Sequence, residues 1–271
     1  MHGPTEFLAP ESFDLAKKAQ SAAAIACISH YCRNQLIALD PGMEGSKLEI
    51  IRMGVDVDTY RPRVMSSTDT HKPRILYVGR LVKEKGVMNL LQALKELADE
   101  GVEFEAEIVG AGPLKGDIAA AINDFGLTEY VRLVGPVGQD KLPRLYNWAN
   151  VFCLPSYAEG VPVVLMEAMS SEIAVLTTSV AGIPELVAHG ETGLLVAPGD
   201  VSGLTQGLRD LCANAERRVR LGSKARGVVQ REFQVRPNAQ RLLETVILRG
   251  SDNVAPNAGY PASGDQSGLA R

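Results

Sequence analysis

Two glutamates stand eight positions apart in the segment AEGVPVVLMEAMS, residues 158–170. Glu159 precedes a glycine and a proline, whereas Glu167 lies within an otherwise apolar run. Two such carboxylates can act as an acid/base pair, or each can accept hydrogen bonds from hydroxyl groups of a ligand. Because a carboxylate inside an apolar helix is costly without polar partners, Glu167 is a candidate ligand-binding residue. A solvent-exposed position on an amphipathic helix is the alternative.

The residues between the two glutamates predict the start of a helix. Pro162 suits the first helical position, Gly160 allows a tight entry, and the predicted helix extends to Ser171. The N–H groups of residues 163–165 are expected to lack intrahelical partners. Together with the helix dipole, these groups form a site suited to a phosphate.

Two basic residues lie in the segment YVGRLVKEKGV, residues 77–87, which ends an apolar run and begins a helical pattern. Arg80 and Lys85 can bind a diphosphate through charge-assisted hydrogen bonds. An ordinary solvated basic loop, partly neutralised by Glu84, is the alternative.

The elements that must position these side chains alternate between short apolar strands and helices. Strands are predicted in RILYVGRL, FEAEIVGAGP, VRLVGPV, VFCLPSY, AVLTTSV and GLLVAPGD. Leucines at helical spacing predict a helix after the first strand, and a second helix follows the second strand. The alternation predicts an α/β protein with a doubly wound, Rossmann-like parallel sheet covered on both faces. Such a sheet binds ligands at the carboxyl ends of its strands.

The chain divides into four predicted parts. Residues 1–62 are predicted to be part of an N-terminal α/β domain and a hinge, with Ser29 as the N-cap of a helix. Residues 63–235 are predicted to be the intact Rossmann-like domain, and residues 236–250 a C-terminal helix. Residues 251–271 are small, polar and broken by prolines, which predicts a disordered tail.

Composition excludes several classes of protein. The 271 residues are 45% hydrophobic and 22% charged, with a net charge of −4, which is typical of a globular protein and gives nucleic-acid binding no electrostatic support. No apolar run reaches the ~20 residues of a transmembrane helix. The four cysteines lack metal-ligand spacing, which predicts reduced thiols in the cytoplasm.

The segments GRLVKEKGV and AEGVPVVLMEAMSSEIAVLTTSVAGIPELVAHGETGLLVAPGD together resemble the nucleotide-binding domain of retaining GT-B glycosyltransferases of family 4. The resemblance extends over residues from about 20 to 245, and its Glu-x7-Glu element is highly specific. The upstream segments ACISHYCRNQLIAL and EIIRMGVDVDTYRP resemble the end of that family's N-terminal domain and its hinge.

The resemblance implies a nucleotide-diphosphate sugar donor, a saccharide or lipid-linked acceptor and no metal cofactor. It implies that Arg80 and Lys85 bind the diphosphate, that Glu159 meets the sugar hydroxyls and that Glu167 accepts the ribose hydroxyls. His2 resembles the family histidine that reaches the sugar and phosphate across the cleft. The other implied donor-binding residues are Gly79, Gly135, Pro136, Val137, Gly160, Val161, Val163, Val164 and Leu165.

The chain departs from the family pattern in two places. Glu172 and Ala174 occupy positions where the family usually has glycine and proline, so we expect an altered backbone turn. If His2 is the family histidine, most of the N-terminal domain is missing. The alternative function is therefore a truncated nucleotide-sugar-binding module with little transfer, or half of an enzyme that needs a partner chain. The expected location is the cytoplasm, with at most peripheral contact to the inner face of the membrane.

Two further motifs favour other chemistry only weakly. Asp56 and Asp58 resemble an Asp-x-Asp metal motif, but they lie in the hinge-like segment. The sequence GAGP at 110–113 begins like a dinucleotide-binding fingerprint, yet Lys115 stands where the third glycine is required. An NAD-dependent oxidoreductase is therefore disfavoured.

Overall fold

A computed structural model describes residues 10–62 and 72–247 of the chain. The strands are β1 (Ile25–Cys27), β2 (Leu48–Ile50), β3 (Arg74–Val78), β4 (Glu105–Val109), β5 (Val131–Gly135), β6 (Val151–Leu154), β7 (Ala174–Thr178) and β8 (Leu194–Val196). The helices are α1 (Leu15–Ser21), α2 (His30–Leu39), α3 (Val87–Asp99), α4 (Lys115–Asp124), α5 (Leu142–Trp148), α6 (Val163–Ser170), α7 (Ile183–Leu186), α8 (Val201–Ala213), α9 (Ala215–Glu232) and α10 (Val235–Leu242). Short 3₁₀ turns cover Pro10–Phe13, Gly45–Lys47 and Lys83–Lys85, and a π-helical turn covers Leu243–Ile247.

The six strands predicted from the sequence form one sheet in the order β5-β4-β3-β6-β7-β8. Every neighbouring pair in this sheet is parallel. Within this sheet, the chain begins at the central strand β3 and continues through β4 to the edge strand β5. It then returns to the centre as β6, beside β3, and continues through β7 to the other edge strand, β8. The predicted α/β class with a doubly wound sheet is confirmed.

Helices cover both faces of the six-stranded sheet. Every residue of β6 and β7 is buried, which explains why β6 is a continuous apolar run and why β7 does not alternate between polar and apolar residues. The leucines of α3 that are spaced for one face, among them Leu90 and Leu94, are fully buried, and α3 also packs against α8.

A second, smaller sheet precedes the first and consists of β1 and β2, which are parallel. The helix α2 follows β1, and its N-cap is Ser29, whose hydroxyl accepts a hydrogen bond from the N–H of Cys32 at 3.0 Å. This confirms the predicted capping role of Ser29.

The inter-sheet segment, residues 51–62, leads from the small sheet toward the large one. The N–H of Val55 donates to the carbonyl of Phe233 at 2.9 Å, and the N–H of Val235 donates to the carbonyl of Val55 at 3.1 Å. Gly54 permits this approach, because a Cβ there would lie 2.5 Å from the carbonyl carbon of Gln234. The inter-sheet segment therefore pairs with the backbone of residues 233–235, between α9 and α10.

Glu185 joins the two sheets at another point. It belongs to α7, and its carboxylate accepts hydrogen bonds from the N–H groups of His30 and Tyr31, both at 2.8 Å. These N–H groups are at the start of α2, where a negative charge is favourable. The guanidinium of Arg52 lies 3.9 Å from the same carboxylate.

Several expectations concern residues outside the described ranges. His2 and the tail at 251–271 lie outside them, as do the last three residues of the predicted C-terminal helix. Within the described ranges, no helix combines the length and the apolar character needed to cross a bilayer. In those same ranges, no group of three or more His, Cys, Asp or Glu residues is arranged to hold a metal ion.

Candidate functional site

The carboxyl ends of β3 and β6 lie next to each other at the point where the winding of the large sheet reverses. A crevice at such a point is the usual ligand site of a doubly wound sheet. The loop after β3 carries Arg80 and Lys85, and the loop after β6 carries Glu159 and leads into α6. The fold therefore brings the predicted basic pair and the first glutamate to one place.

Gly86 determines the path of the loop after β3. It has a φ of 65°, and a Cβ there would lie 1.9 Å from the carbonyl oxygen of Pro155. Only glycine tolerates both the left-handed backbone and this close approach. The N–H of Tyr157 also donates to the carbonyl oxygen of Glu84 at 2.7 Å. These contacts fix the two loops against each other and place Lys85 beside the loop after β6.

Lys85 and Glu159 form a largely buried ion pair. The Nζ of Lys85 lies 2.6 Å from Oε1 of Glu159, and the two side chains are 17% and 6% exposed. The hydroxyl of Ser156 donates to the same Oε1 at 2.7 Å. A lysine ammonium carries more than one N–H donor, so the bond to Glu159 leaves donors for a ligand.

Arg80 directly follows the glycine at the end of β3, and its side chain is exposed. Its carbonyl oxygen accepts a hydrogen bond from the hydroxyl of the buried Tyr77 at 3.0 Å. Burial and the negative charge of Glu159 raise the pKa of Tyr77, and the positive charge of Arg80 opposes this rise. The charges of Arg80 and Glu159 therefore act on the same hydroxyl, which locates both at the same end of the sheet.

The predicted helix between the two glutamates is α6, and its start differs from the prediction in two respects. The helix begins at Val163, and Pro162 is its N-cap with φ −71° and ψ 125°, not its first helical residue. The N–H of Leu165 donates to the carbonyl of Pro162 at 3.2 Å, so the expectation that it lacks an intrahelical partner is wrong. This tight first turn gives the N–H of Leu165 a hydrogen-bond partner, which it would not have at the start of an ideal α-helix. The predicted anion site is thereby reduced to the amides of Val163 and Val164, both half-buried residues.

Glu167 is only 5% exposed, so the alternative of a solvent-exposed helix position is wrong. Its Oε2 accepts a hydrogen bond from the hydroxyl of Tyr146 at 2.7 Å. Burial raises the pKa of Glu167, and hydrogen bonds from Tyr146 and Tyr60 oppose that rise because they stabilise the charged form. Glu167 is thus a buried carboxylate that binds hydroxyl groups, which is the chemistry that a ribose would require.

The loop after β5 lies close to the inter-sheet segment. It begins at Gly135, which has a φ of 87°, and continues through the exposed Pro136 and the half-buried Val137. Further along this loop, Oε1 of Gln139 lies 3.4 Å from the hydroxyl of Tyr60. Because the hydroxyl of Tyr60 also opposes the rise in the pKa of Glu167, the loop predicted to border the base lies near the residue predicted to bind the ribose.

Three other predicted donor-binding residues, Gly79, Gly160 and Val161, make close contacts within the protein. A Cβ on Gly110 would lie 1.9 Å from the carbonyl oxygen of Gly79, so these glycines allow two loops to cross. The carbonyl of Gly160 accepts a hydrogen bond from the N–H of Gly182 at 3.1 Å, and Val161 is buried beside that glycine. Their ligand contacts remain predictions.

The turn after α6 keeps a regular geometry at the position where we expected an altered turn. The N–H of Ile173 donates to the carbonyl of Ala168, and the N–H of Glu172 donates to that of Met169, both at 3.1 Å. This is a Schellman motif, in which glycine usually occupies the left-handed position. Glu172 adopts that conformation itself, with a φ of 59°. The departure from the family pattern therefore introduces local strain and leaves the turn in place.

The Asp-x-Asp segment serves the local backbone. Oδ1 of Asp56 accepts a hydrogen bond from the N–H of Asp58 at 3.0 Å, and its Oδ2 accepts one from the hydroxyl of Thr59 at 3.2 Å. The hydrogen bond from the backbone N–H of Asp58 lowers the pKa of Asp56 most, and the bond from the hydroxyl of Thr59 lowers it further. Its carboxylate thus caps a turn in the inter-sheet segment.

Four residues at or near the site were missed by the sequence analysis. They are Tyr60, Tyr146, Ser156 and Glu185. Ser156 stands three positions before the first glutamate, which is a weak local signal. The other three act through contacts between segments that are distant in sequence, and their spacing carries no signal.

Comparison with known proteins gives consistent matches. A family profile described as glycosyl transferases group 1 matches residues 63–228. The chain is 34% identical over 213 residues to the amylovoran biosynthesis glycosyltransferase AmsK of Erwinia amylovora, which covers 76% of this chain and 51% of that protein. It is 28% identical over 240 residues to a GDP-mannose-dependent alpha-(1-6)-phosphatidylinositol monomannoside mannosyltransferase of Mycobacterium tuberculosis, which covers 83% of this chain and 61% of that protein. The chain therefore spans little more than half the length of these two relatives.

The same fold occurs in solved structures. Anabaena Alr3699/HepE in complex with UDP-glucose matches with a TM-score of 0.76 at 22% identity, over 89% of this chain and 70% of that chain. At this level of identity the match shows a common fold, which agrees with the predicted GT-B-like architecture.

Proposed function

Because the chain belongs to the glycosyl transferases group 1 family, we propose that it binds a nucleotide-diphosphate sugar and transfers the sugar to a saccharide or lipid-linked acceptor with retention of configuration. The observation that carries this proposal is the ion pair between Lys85 and Glu159. It places a cation suited to a diphosphate beside a carboxylate suited to sugar hydroxyls, at the ligand edge of the sheet.

The proposed donor lies across the crevice between β3 and β6. Arg80 and the remaining N–H donors of Lys85 bind the diphosphate, and the amides of Val163 and Val164 add to the positive potential there. Glu159 meets the hydroxyls of the transferred sugar. The base lies toward the loop after β5, and the ribose lies between the base and the diphosphate.

In the proposed reaction, the acceptor hydroxyl oxygen forms a bond to the anomeric carbon of the sugar. The bond between that carbon and the diphosphate oxygen breaks, and the diphosphate leaves with both bonding electrons. The positive charges of Arg80 and Lys85 stabilise the negative charge that develops on the leaving group. The acceptor proton passes to an oxygen of the leaving phosphate, since Lys85 and Ser156 bond Oε1 of Glu159 and its other oxygen is assigned to the sugar hydroxyls.

The named relatives support the proposed class of donor and acceptor. One acts in amylovoran biosynthesis and another is a GDP-mannose-dependent mannosyltransferase of a phosphatidylinositol monomannoside. A protein of the same fold is solved with UDP-glucose. We therefore propose a role in polysaccharide or glycolipid assembly, on the cytoplasmic side and with at most peripheral membrane contact.

The test is incubation of the chain with UDP-, GDP- and ADP-sugars and a panel of saccharide acceptors. Chromatography follows release of the nucleoside diphosphate, and NMR reads the anomeric configuration of the product. We expect one base to be preferred and the donor's configuration to be kept. An inverted product would contradict the retaining mechanism, and failure of every nucleotide to bind would contradict the site.

Donor binding with little transfer by these 271 residues is a second candidate function. It is favoured because β1 and β2 are the only described strands outside the large sheet and the chain spans 51% of the length of the amylovoran relative. Tight donor binding without product formation would support it, particularly if a partner chain restored transfer. Rapid transfer by the chain alone would contradict it.

A further inference from the structure

Two tyrosines from different parts of the chain surround the carboxylate of Glu167. Tyr146 belongs to α5, and Tyr60 belongs to the inter-sheet segment. Their exposed fractions are 0% and 7%, and their rings meet edge to face with centroids 5.6 Å apart at an interplanar angle of 80°. The hydroxyl of Tyr146 donates to Oε2 of Glu167 at 2.7 Å.

We propose that Tyr146 and Tyr60 are positioning residues for ribose recognition, which hold the Glu167 carboxylate in a fixed orientation so that its remaining lone pairs accept the ribose hydroxyls. This inference rests on the proposed function, which assigns Glu167 to the ribose.

The hydrogen-bonding capacity of the Glu167 carboxylate is consistent with this role. An ionised carboxylate offers about four acceptor positions. The bond from Tyr146 occupies one of them, which leaves room for the 2′- and 3′-hydroxyls of a ribose. A protonated Glu167 would lose part of that capacity, because one of its oxygens would carry a hydrogen. The tyrosine bonds favour the charged form, and thereby oppose the effect of burial on the pKa of Glu167.

The backbone of Tyr60 is attached to the helix that carries Glu167. The hydroxyl of Ser170, the last residue of α6, donates to the carbonyl of Tyr60 at 2.6 Å. The guanidinium of Arg226 donates to the same carbonyl at 3.2 Å. The ring and the carbonyl of Tyr60 therefore attach the inter-sheet segment to Tyr146 and to α6, the two elements that hold and carry the Glu167 carboxylate.

The hydroxyl of Tyr60 also reaches the loop after β5. It lies 3.4 Å from Oε1 of Gln139, in the loop predicted to border the base. Tyr60 therefore connects the base loop, through its hydroxyl, to the ring of Tyr146, whose own hydroxyl bonds the Glu167 carboxylate. A residue that served only to fill the core would not need a polar group at this position.

The test compares Tyr146→Phe and Tyr60→Phe with Tyr130→Phe. Tyr130 is a suitable control because it directly precedes β5, at the opposite end of the sheet from the site. Calorimetry measures Kd for the nucleoside diphosphate that the wild-type chain binds most tightly among UDP, GDP and ADP, and for its 2′,3′-dideoxy analogue. The ratio of the two Kd values reports ribose recognition, and the pH profile reports the ionisation of Glu167.

We expect the wild-type chain and Tyr130→Phe to prefer the ribose form by about tenfold or more. Tyr146→Phe and Tyr60→Phe should lower this preference to roughly threefold or less, while binding of the dideoxy analogue changes by less than about twofold. The acid limb of ribonucleotide binding should also move to higher pH in both variants, because the charged form of Glu167 loses a hydrogen bond.

The outcomes separate the inference from the proposed function. If the wild-type chain binds both analogues equally, the assignment of Glu167 to the ribose fails. If the wild-type chain prefers the ribose form and both tyrosine variants keep that preference and the same pH profile, the positioning role is wrong. Should Tyr146→Phe fail to fold, Tyr60→Phe decides by the same measurement, since the hydroxyl of Tyr60 also favours the charged form of Glu167.

Discussion

The Nζ of Lys85 lies 2.6 Å from Oε1 of Glu159, although 74 positions separate the two residues in the chain. The pair joins the loop after β3 to the loop after β6 at the point where the winding of the sheet reverses. The family resemblance implied a diphosphate contact for Lys85 and a sugar contact for Glu159, but not that the two residues bind each other. A change in either residue should therefore alter both proposed contacts with the donor.

Replacing Lys85 by methionine should lower both stability and affinity. The variant leaves the buried carboxylate of Glu159 without its cation, and we expect the free energy of unfolding to fall by about 1–3 kcal/mol. Urea denaturation measures this loss. Affinity for a nucleoside diphosphate should fall about tenfold or more, because a charge-assisted contact is also lost.

Lys83→Met is the matched control for this variant, since Lys83 is an exposed cation in the same turn. It should leave stability unchanged within about 0.5 kcal/mol. The double variant Lys85→Met/Glu159→Gln should be more stable than Lys85→Met, because it removes the unpaired charge. Wild-type stability in Lys85→Met would argue against the ion pair.

Arg80→Ala should affect binding without affecting the fold. The side chain of Arg80 is exposed, so the free energy of unfolding should change by less than about 0.5 kcal/mol. We expect affinity for a nucleoside diphosphate to fall about tenfold and affinity for the nucleoside to stay the same. Calorimetry with both ligands makes the comparison. An equal loss for nucleoside and diphosphate would refute the assignment of Arg80 to the diphosphate.

The fold and the position of the site follow from local signals in the sequence. Short apolar runs, glycine turns and leucines at helical spacing predict the parallel sheet, and the geometry of such a sheet brings Arg80, Lys85 and Glu159 to one edge. The contacts of Glu167 with Tyr60 and Tyr146 could not be predicted, because they depend on how distant segments pack. The bond from Leu165 to Pro162 depends on the tightness of the first turn of α6, which composition does not determine.

Glu167→Gln should separate stability from binding. Burial raises the pKa of Glu167, so the unfolded chain loses this proton at a lower pH than the folded chain does. Wild-type stability relative to the variant should therefore fall as pH rises from the ordinary carboxyl value of about 4.3 through the raised pKa. Thermal unfolding at a series of pH values measures this difference, and a relative gain in wild-type stability over this range would contradict it. Ribonucleotide affinity should fall about tenfold in the variant.

Glu172→Gly should stabilise the chain. Glu172 has a φ of 59° in the position of a Schellman motif where glycine is usual, and relief of this strain is worth about 1 kcal/mol. Glu172→Ala keeps the strain and serves as the control, since both variants lose the charge that lies 3.8 Å from Arg226. Urea denaturation should rank the glycine variant above the alanine variant, and the reverse order would show that the turn is not strained.

Glu185→Ala should loosen the contact between the two sheets. The variant removes the carboxylate that accepts hydrogen bonds from His30 and Tyr31 at the start of α2, and loss of such a cap costs about 1 kcal/mol. We expect faster hydrogen exchange in α2 than in the wild-type chain. Glu191→Ala, which changes an exposed glutamate nearby, should leave exchange in α2 unaltered. Equal exchange in both variants would mean that Glu185 does not support α2.

The most direct test of the proposed donor site is a thermal-shift measurement with UDP, GDP, ADP and the corresponding nucleosides. At a concentration 100 times Kd, a ligand that binds only the folded chain adds about 2.7 kcal/mol of stability, or roughly 5–10 °C in Tm for a domain of this size. We predict a shift of this size with at least one nucleoside diphosphate and a much smaller shift with its nucleoside, because the nucleoside lacks the group that Arg80 and Lys85 bind. No shift with any of the three diphosphates would contradict the account.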